Sequence, residues 1–296
     1  VLAPYPAGPV DHGVTMTAIF PVDEVQSTGL ESISPIAVLT NYACHPVTLG
    51  ANYRISADFP GVFARAVESI FSNCVAVYLN GAAGDINPPA MDGSITTELC
   101  GVELSAVAVK SIIQAHRLKE EASHQDFHFA FREKTIELPL GPLPSRDELL
   151  RWIDEYEQKV EELKEREDGS ANSWQALASW AKYCFDGLGG KESEFTDRNK
   201  SLLQSVSFGD TGMIFVPGEL FCELGLAIKA ESSFPYTHVV GYSNGWIGYV
   251  PTKEAIELGG YETTAYRYWQ SRPFAPETGD LIVREAVELL RQVGSD

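Results

Sequence analysis

The chain has 296 residues and a formal net charge of −19, from 41 acidic and 22 basic side chains. Proteins that bind nucleic acids need a positively charged surface, so this charge disfavours nucleic acid as a partner. No apolar run approaches the ~20 residues of a membrane-spanning helix, and we expect no stable membrane insertion. A lipid substrate remains compatible with this composition, because a local apolar groove is enough to bind one.

The length is near the upper size of a single hydrophobic core, which predicts one large domain over residues 1–296. The five cysteines are odd in number and widely spaced, and no two form a Cys-x-x-Cys pair. This pattern indicates reduced, mostly buried thiols and favours the cytoplasm, although the compartment stays open. The cysteines are Cys44, Cys74, Cys100, Cys184 and Cys222. The start at Val1, without Met or a signal-like stretch, suggests that further residues precede it.

Short apolar runs alternate along the chain with amphipathic helical patterns. Strands are predicted at 15–20, 36–42, 75–79, 128–131, 134–138, 202–208, 213–216 and 238–241. Helices are predicted over 58–71, 98–115, 219–230 and 281–293. This alternation predicts an α/β fold with a mixed sheet core and flanking helices.

Residues 141–200 have a different character and predict a helical insertion. A capping-box sequence runs from Ser145 to Glu148, and a one-sided apolar stripe follows it. Gly169 ends this helix, a second helix is predicted over 174–185, and a glycine-rich turn follows at 187–190. We expect a helical hairpin that borders the mouth of the site, because such insertions commonly form lids.

Polar clusters follow several of the predicted strands, where α/β proteins usually place their sites. His45 follows a buried strand, and its local pattern suits either a hydrogen-bonded core histidine or a metal ligand. The segment 80–88 contains Gly84 and Asn87, and it suits either a tight turn or a glycine-rich backbone that binds an oxyanion. Local spacing alone does not decide between these alternatives.

The downstream candidates are also ambiguous when each is considered alone. Glu219 lies at a predicted strand-to-helix junction, where it suits an acidic residue at a helix N-terminus or a carboxylate ligand. Tyr249 and Tyr261 are aromatic residues of the kind that usually belong to the core, so their local pattern favours core packing over a role in a site. Ser207 and Ser243 have no convincing His–Asp partners nearby, which disfavours a serine triad.

Taken in order, these clusters resemble the neutral/alkaline (non-lysosomal) ceramidase family, in its N-terminal catalytic domain. The resemblance covers most of the chain except 141–200. Its motifs are GPVD at 8–11, NYACHP at 41–46, SAD at 56–58, GDINP at 84–88, PGE at 217–219, YVPT at 249–252 and YE at 261–262. No motif is decisive alone, but their shared order is fairly specific.

The resemblance implies a zinc-dependent amide hydrolase. In that family zinc is held by two histidines, a glutamate and a tyrosine, and the matching positions here are His45, Glu219 and Tyr249. Tyr261 matches the tyrosine that polarises the scissile carbonyl. A zinc-activated water would then cleave an amide bond of an N-acylated, ceramide-like substrate, without a covalent acyl-enzyme. The glycine-rich backbone ending at Gly84 would stabilise the oxyanion.

Two departures from the family pattern qualify this expectation. The first histidine of the family lies in a His-Thr-His-Ser-Gly-type motif, and none of the six histidines here lies in one. We therefore expect that an upstream segment or another chain supplies a further zinc ligand, and that this chain alone binds zinc weakly. Asn87 replaces the serine of the Gly-Asp-Val-Ser-Pro motif. A carboxamide is no nucleophile, but it remains a hydrogen-bond donor to substrate. A non-catalytic ligand-binding protein and a metallo-esterase are the alternatives to the amidase.

Overall fold

A computed structural model of the chain describes residues 7–21, 33–52, 54–90, 93–121, 128–188, 200–269 and 272–295. The described part is a mixed α/β fold, as predicted. Its strands are β1 (Thr15–Ile19), β2 (Ala37–Tyr42), β3 (Val75–Asn80), β4 (Phe129–Glu137), β5 (Lys200–Phe208), β6 (Thr211–Phe215), β7 (Glu219–Leu220), β8 (Tyr236–Val240) and β9 (Tyr249–Val250). Its helices are α1 (Asp58–Ile70), α2 (Ser94–Glu121), α3 (Arg146–Glu165), α4 (Ala171–Gly187), α5 (Cys222–Glu231), α6 (Lys253–Leu258), α7 (Tyr261–Thr264) and α8 (Thr278–Val293).

The strands form two mixed sheets and one short pair. The first sheet has the order β1-β2-β3, with β1 antiparallel and β3 parallel to β2. The second has the order β4-β5-β6-β8, in which only β6 and β8 are parallel. The parallel pair β7-β9 aligns Glu219 with Tyr249. The parallel pairs bring strand ends together at common edges, where α/β proteins usually bind ligands.

The side chain of Asn41 joins the two larger sheets. Its amide nitrogen donates to Leu79 O at 2.9 Å and to Val239 O at 3.0 Å. Its oxygen accepts from Val239 N at 3.2 Å. Because Asn41 is only 1% exposed, these bonds satisfy a buried amide that would otherwise be costly to bury. The bonds fix the end of β2 beside β8 and so set the relative position of the loops that follow them.

Three apolar clusters stabilise this arrangement. One lies between the second sheet, α5 and α8, and includes Leu203, Ile214 and Leu290. Another lies between the first sheet and the helices α1 and α2, and includes Phe63 and Phe71. The third belongs to α3 and α4 and contains the fully buried Trp180. Each of these helices buries one face, as amphipathic helices of globular proteins do.

The predicted helical hairpin is present as α3 and α4. Its capping box is also present, because Ser145 Oγ accepts from Glu148 N at 3.3 Å while Glu148 Oε2 accepts from Ser145 N at 2.9 Å. The glycine-rich turn predicted at 187–190 lies partly outside the described residues.

Three predicted elements were wrong in detail. The strands predicted at 128–131 and 134–138 form one continuous strand, β4, because pairing with all nine residues of β5 carries it across the charged residues between them. The helix predicted over 219–230 begins only at Cys222. Glu219 belongs instead to β7, so it is not an acidic residue at a helix N-terminus. Its pairing with β9, which is distant in sequence, decides its conformation.

The five cysteines are free, and four of them are buried, as predicted. Burial raises the pKa of Cys44 to about 12 and that of Cys222 to about 11, so both are unreactive thiols at neutral pH. Within the described ranges, no helix is long and apolar enough to cross a membrane.

Candidate active site

The candidate site lies where the carboxyl ends of β2, β3, β6 and β8 approach one another. Three backbone bonds join the loops that leave these strands: Gly81 N donates to Tyr42 O at 2.9 Å, His45 N to Ile86 O at 3.0 Å, and Gly241 N to Asn80 O at 3.0 Å. An open cleft of about 620 Å³ lies at this point. Its walls include the side chains of His45, Tyr78, Asn80, Glu219, Tyr242 and Tyr249.

His45 is held with one ring nitrogen directed at the cleft. Its Nδ1 lies 3.1 Å from Ile86 O, so this nitrogen carries the proton and donates to the carbonyl. Its Nε2 lies 3.1 Å from Glu219 Oε2, to which it donates when the imidazole is doubly protonated. Burial acts to lower the pKa of His45, but the hydrogen bond and charge of Glu219 outweigh burial and raise it. The Ile86 bond is the kind of support that orients histidine ligands in metal sites.

Glu219 is a buried carboxylate, 6% exposed, with partners on both oxygens. Oε2 accepts from Tyr242 OH at 2.8 Å and faces His45, and Oε1 accepts from Trp246 Nε1 at 2.9 Å. Burial alone would raise the pKa of Glu219, but the bonds from His45, Trp246 and Tyr242 lower it, so the group stays ionised. An ionised carboxylate beside an oriented imidazole suits a divalent cation.

Tyr249 flanks this pair from β9. Its ring centroid lies 6.3 Å from that of His45, and its register partner is Glu219. Burial, followed by the negative charge of Glu219, raises the pKa of Tyr249. The structure therefore brings together the three side chains for which the sequence resemblance implied zinc binding, although Glu219 and Tyr249 are far from His45 in sequence.

Tyr261 lies beyond Tyr249, further from His45. Its centroid is 6.1 Å from that of Tyr249 and 6.1 Å from that of Tyr268, and the residue is 41% exposed. The preceding residues Gly259 and Gly260 have φ of +76° and +136°, values that side-chain-bearing residues rarely adopt. This turn starts α7 at the edge of the site and places Tyr261 at its rim.

Gly84 packs against β7, whereas Asn87 is exposed. The N–H of Gly84 donates to Leu220 O at 2.8 Å, so this amide is already bonded to backbone. A Cβ at Gly84 would lie 2.4 Å from Glu219 O, which shows that the absence of a side chain lets β7 approach this loop. These contacts indicate a packing role for Gly84 rather than the oxyanion role expected from sequence. Asn87 is exposed on the same loop.

Sequence reasoning missed two residues of the site, Tyr242 and Trp246. Both lie in a segment without regular secondary structure between β8 and β9, and its composition resembles an ordinary turn. The only available signal was the density of aromatic residues over 242–249. Tyr242 OH lies 2.9 Å from His45 Nε2 as well as 2.8 Å from Glu219 Oε2. It therefore contacts both of the principal candidate ligands.

The donor atoms of His45 and Glu219 fit a zinc ion. Zinc binds imidazole nitrogen and carboxylate oxygen at about 2.0–2.2 Å, so two of its ligand atoms lie roughly 3–3.5 Å apart. The 3.1 Å between His45 Nε2 and Glu219 Oε2 agrees with this spacing. In the described residues, however, no three His, Cys, Asp or Glu side chains form a metal-binding group. Within the described residues, the phenols of Tyr242 and Tyr249 are therefore candidate third donors, and Asn80 also lines the cleft.

Comparison with known proteins finds no family model that matches the sequence and no curated protein that matches it. Among solved structures, the neutral ceramidase from Pseudomonas aeruginosa superposes with a TM-score of 0.58 at 15% identity, over 96% of this chain and 47% of that one. The chain shares the fold of neutral ceramidases. A ceramidase complexed with C2 also matches, with a TM-score of 0.55 at 14% identity, over 88% of this chain and 46% of that one.

This likeness confirms the sequence resemblance at the level of the fold. The chain spans about half the length of the two ceramidase structures, so their complete activity and substrates do not transfer to it directly.

The helical hairpin lies beside the outer part of the site. None of the described residues of α3 and α4 lines the His45–Glu219 cleft. The hairpin instead contacts the segment that follows α7: the Trp180 and Tyr266 rings are 5.7 Å apart, and the Arg267 guanidinium lies 4.7 Å from the Trp152 ring centroid. Cation–π contacts of this kind attach the hairpin to the segment that carries Tyr261.

Proposed function

We propose that this protein is a zinc-dependent hydrolase that cleaves the amide bond of an N-acylated, ceramide-like substrate with metal-activated water. The observation that supports the proposal most strongly is the 3.1 Å distance between His45 Nε2 and Glu219 Oε2, in a cleft of a ceramidase-like fold. His45, Glu219 and Tyr249 would hold the metal. When bound, zinc supplies Lewis acidity and activates water for attack on a carbonyl.

The residues around this centre would orient and support the reacting groups. Ile86 O fixes the tautomer of His45, and Trp246 holds the second oxygen of Glu219. Tyr261, at the rim, would donate its hydroxyl to the substrate carbonyl as negative charge develops there. Asn87, exposed on the loop after β3, would hydrogen-bond the substrate. No side chain is needed as a nucleophile, because water attacks the carbonyl.

The test is a substrate panel on zinc-supplied protein, pairing N-acyl amides with their matched esters. We expect amide cleavage, loss of both zinc and cleavage in Glu219→Gln, and retention of both in Glu223→Gln, a change at an exposed neighbouring acid. Cleavage of esters alone would identify a metallo-esterase. Burst kinetics or a trapped acyl adduct on any side chain would contradict attack by water.

A second candidate function, non-catalytic ligand binding, is favoured by the lack of a three-member His, Cys, Asp or Glu group within the described ranges. The open cleft would then bind an N-acyl compound or lipid without cleaving it. Zinc-loaded protein that binds members of the panel and cleaves none would support this alternative. An additional zinc ligand from an upstream segment or another chain would instead complete the catalytic site.

We also propose that residues 141–200 are an insertion within a single catalytic domain spanning 1–296. The separate apolar cluster of α3 and α4 supports this, as does their attachment through Tyr266 and Arg267. Because Arg267 lies close in sequence to Tyr261, the hairpin would influence the rim of the site rather than the metal. Its removal should then change substrate preference more than zinc binding.

A further inference from the structure

Tyr242 has an unusual backbone conformation at a place where three donor atoms meet. Its φ is +56°, and that of the nearby Asn244 is +62°. A left-handed φ is uncommon and strained for an aromatic residue, so the surrounding structure must offset its cost. Strain of this kind is concentrated at functional sites.

The conformation brings the phenol oxygen of Tyr242 into contact with both candidate ligands. It lies 2.9 Å from His45 Nε2 and 2.8 Å from Glu219 Oε2, and these two atoms are 3.1 Å from each other. The three atoms therefore form a nearly equilateral triangle. Its edges are slightly shorter than the roughly 3.4 Å between two ligand atoms of a tetrahedral zinc, so a small outward movement would admit the ion.

Hydrogen bonds hold the main chain that carries the Tyr242 ring. Tyr242 N donates to Gly218 O at 3.2 Å, and Ser243 N donates to Val216 O at 3.0 Å. Ser243 Oγ also donates to Gly241 O at 3.1 Å. The first two bonds tie residues 242 and 243 to the loop that leads into β7, whereas the third lies within the segment.

Once the metal is bound, the hydrogen bond from Tyr242 OH to Glu219 Oε2 at 2.8 Å remains possible, but a hydrogen bond between Tyr242 OH and His45 Nε2 does not. A metal-bound Nε2 has its lone pair in the coordination bond, and it carries no proton, since that proton is on Nδ1 beside Ile86 O. A phenol 2.9 Å from such a nitrogen can neither donate to it nor accept from it. The phenol oxygen can, however, bind the same metal ion as His45 Nε2.

From this geometry we infer that Tyr242 is a further ligand of the proposed zinc ion, binding through its phenol oxygen. His45, Glu219 and Tyr242 then supply three donors from the described residues, and Tyr249 adjoins them from β9. The inference rests on the proposed metal site, but it concerns the ligand set rather than the reaction. The phenol proton passes to solvent as the oxygen–metal bond forms.

The test is zinc affinity, measured by competition with a chelator, together with the visible spectrum of the protein loaded with copper(II). We expect Tyr242→Phe to weaken zinc binding by at least about 10–100-fold, the loss typical of residues that support metal ligands. We also expect it to reduce the phenolate-to-copper charge-transfer band. Tyr236→Phe, at an exposed tyrosine, is the matched control and should change neither readout.

Tyr249→Phe keeps the inference testable if Tyr242→Phe fails to fold. In this variant the charge-transfer band should persist, because Tyr242 still provides a phenol ligand. Loss of the whole band in Tyr249→Phe would overturn the inference, as would unchanged zinc affinity in folded Tyr242→Phe.

These outcomes are separate from those of the hydrolase proposal. Hydrolysis with Tyr242-independent zinc binding would contradict the inference alone. Tyr242-dependent zinc binding without hydrolysis would contradict the hydrolase alone. Protein that binds neither zinc nor copper(II) would contradict both.

Discussion

Substitution of Gly84 by alanine distinguishes a packing role from a catalytic one at this loop. A Cβ at this position would lie 2.4 Å from Glu219 O and 2.9 Å from Leu220 O, both of them backbone atoms that cannot rotate away. Forcing extra volume into a packed site costs about 1–3 kcal/mol. Weakening the bond from Gly84 N to Leu220 O adds about 1 kcal/mol. We therefore expect Gly84→Ala to lower the free energy of unfolding by about 2–4 kcal/mol.

The same displacement should affect the proposed metal site. Moving β7 away from Gly84 also moves Glu219, whose Oε2 is positioned 3.1 Å from His45 Nε2. Zinc affinity should fall by about 10–100-fold, as it does when residues that orient metal ligands are lost. Urea unfolding and a chelator-competition titration measure the two effects independently.

Gly169→Ala is the matched control. Gly169 lies in the exposed turn between α3 and α4, and a Cβ there meets nothing within 4 Å. Its effect on unfolding should stay within about 0.5 kcal/mol. The packing role would be refuted if Gly84→Ala kept wild-type stability and zinc affinity. Normal stability and zinc affinity with kcat reduced by about 10²–10³-fold would instead indicate the oxyanion role.

Three further predictions concern other parts of the molecule. Tyr261→Phe should lower kcat by about 10²–10³-fold, the usual cost of one oxyanion donor, while bound zinc, measured by metal analysis, stays unchanged. Burial, followed by the charge of Lys229, lowers the pKa of His238 to about 4, so the unfolded chain binds the extra proton between about pH 6.5 and 4. Stability should therefore fall by up to about 3 kcal/mol as the pH drops through this window, and urea titrations of His238→Gln should show a flatter dependence. Trp246→Phe removes the donor to Glu219 Oε1 and should weaken zinc binding by about 10–100-fold in a chelator competition. Unchanged zinc affinity would show that this hydrogen bond does not orient the carboxylate.

The sequence was sufficient to predict most local elements because their patterns are local. The capping box from Ser145 to Glu148 and the apolar faces of α1 and α8 specify their helices through residues a few positions apart. β4 was predicted as two pieces because its central residues are charged, and only its pairing with β5 makes it continuous. Glu219 was misassigned to a helix for a similar reason, because its strand depends on β9.

The candidate site was predictable only in part. Motif order allowed the sequence to nominate His45, Glu219 and Tyr249, which the structure brings together. Tyr242 was missed because its position depends on a left-handed φ and on backbone bonds to Val216 and Gly218, neither of which leaves a pattern in sequence. Gly84 was recognised as important, but whether its amide was free to bind substrate depended on the approach of Leu220.

The central claim is that zinc bound by His45 and Glu219 enables amide hydrolysis. Its most direct test is a stepwise zinc titration of chelator-stripped protein, with bound zinc and hydrolysis of an N-acyl amide measured in the same samples. We predict that the rate rises in proportion to bound zinc and reaches its plateau at one ion per chain. Full hydrolysis before any zinc is bound, or no hydrolysis at full zinc occupancy, would contradict the claim.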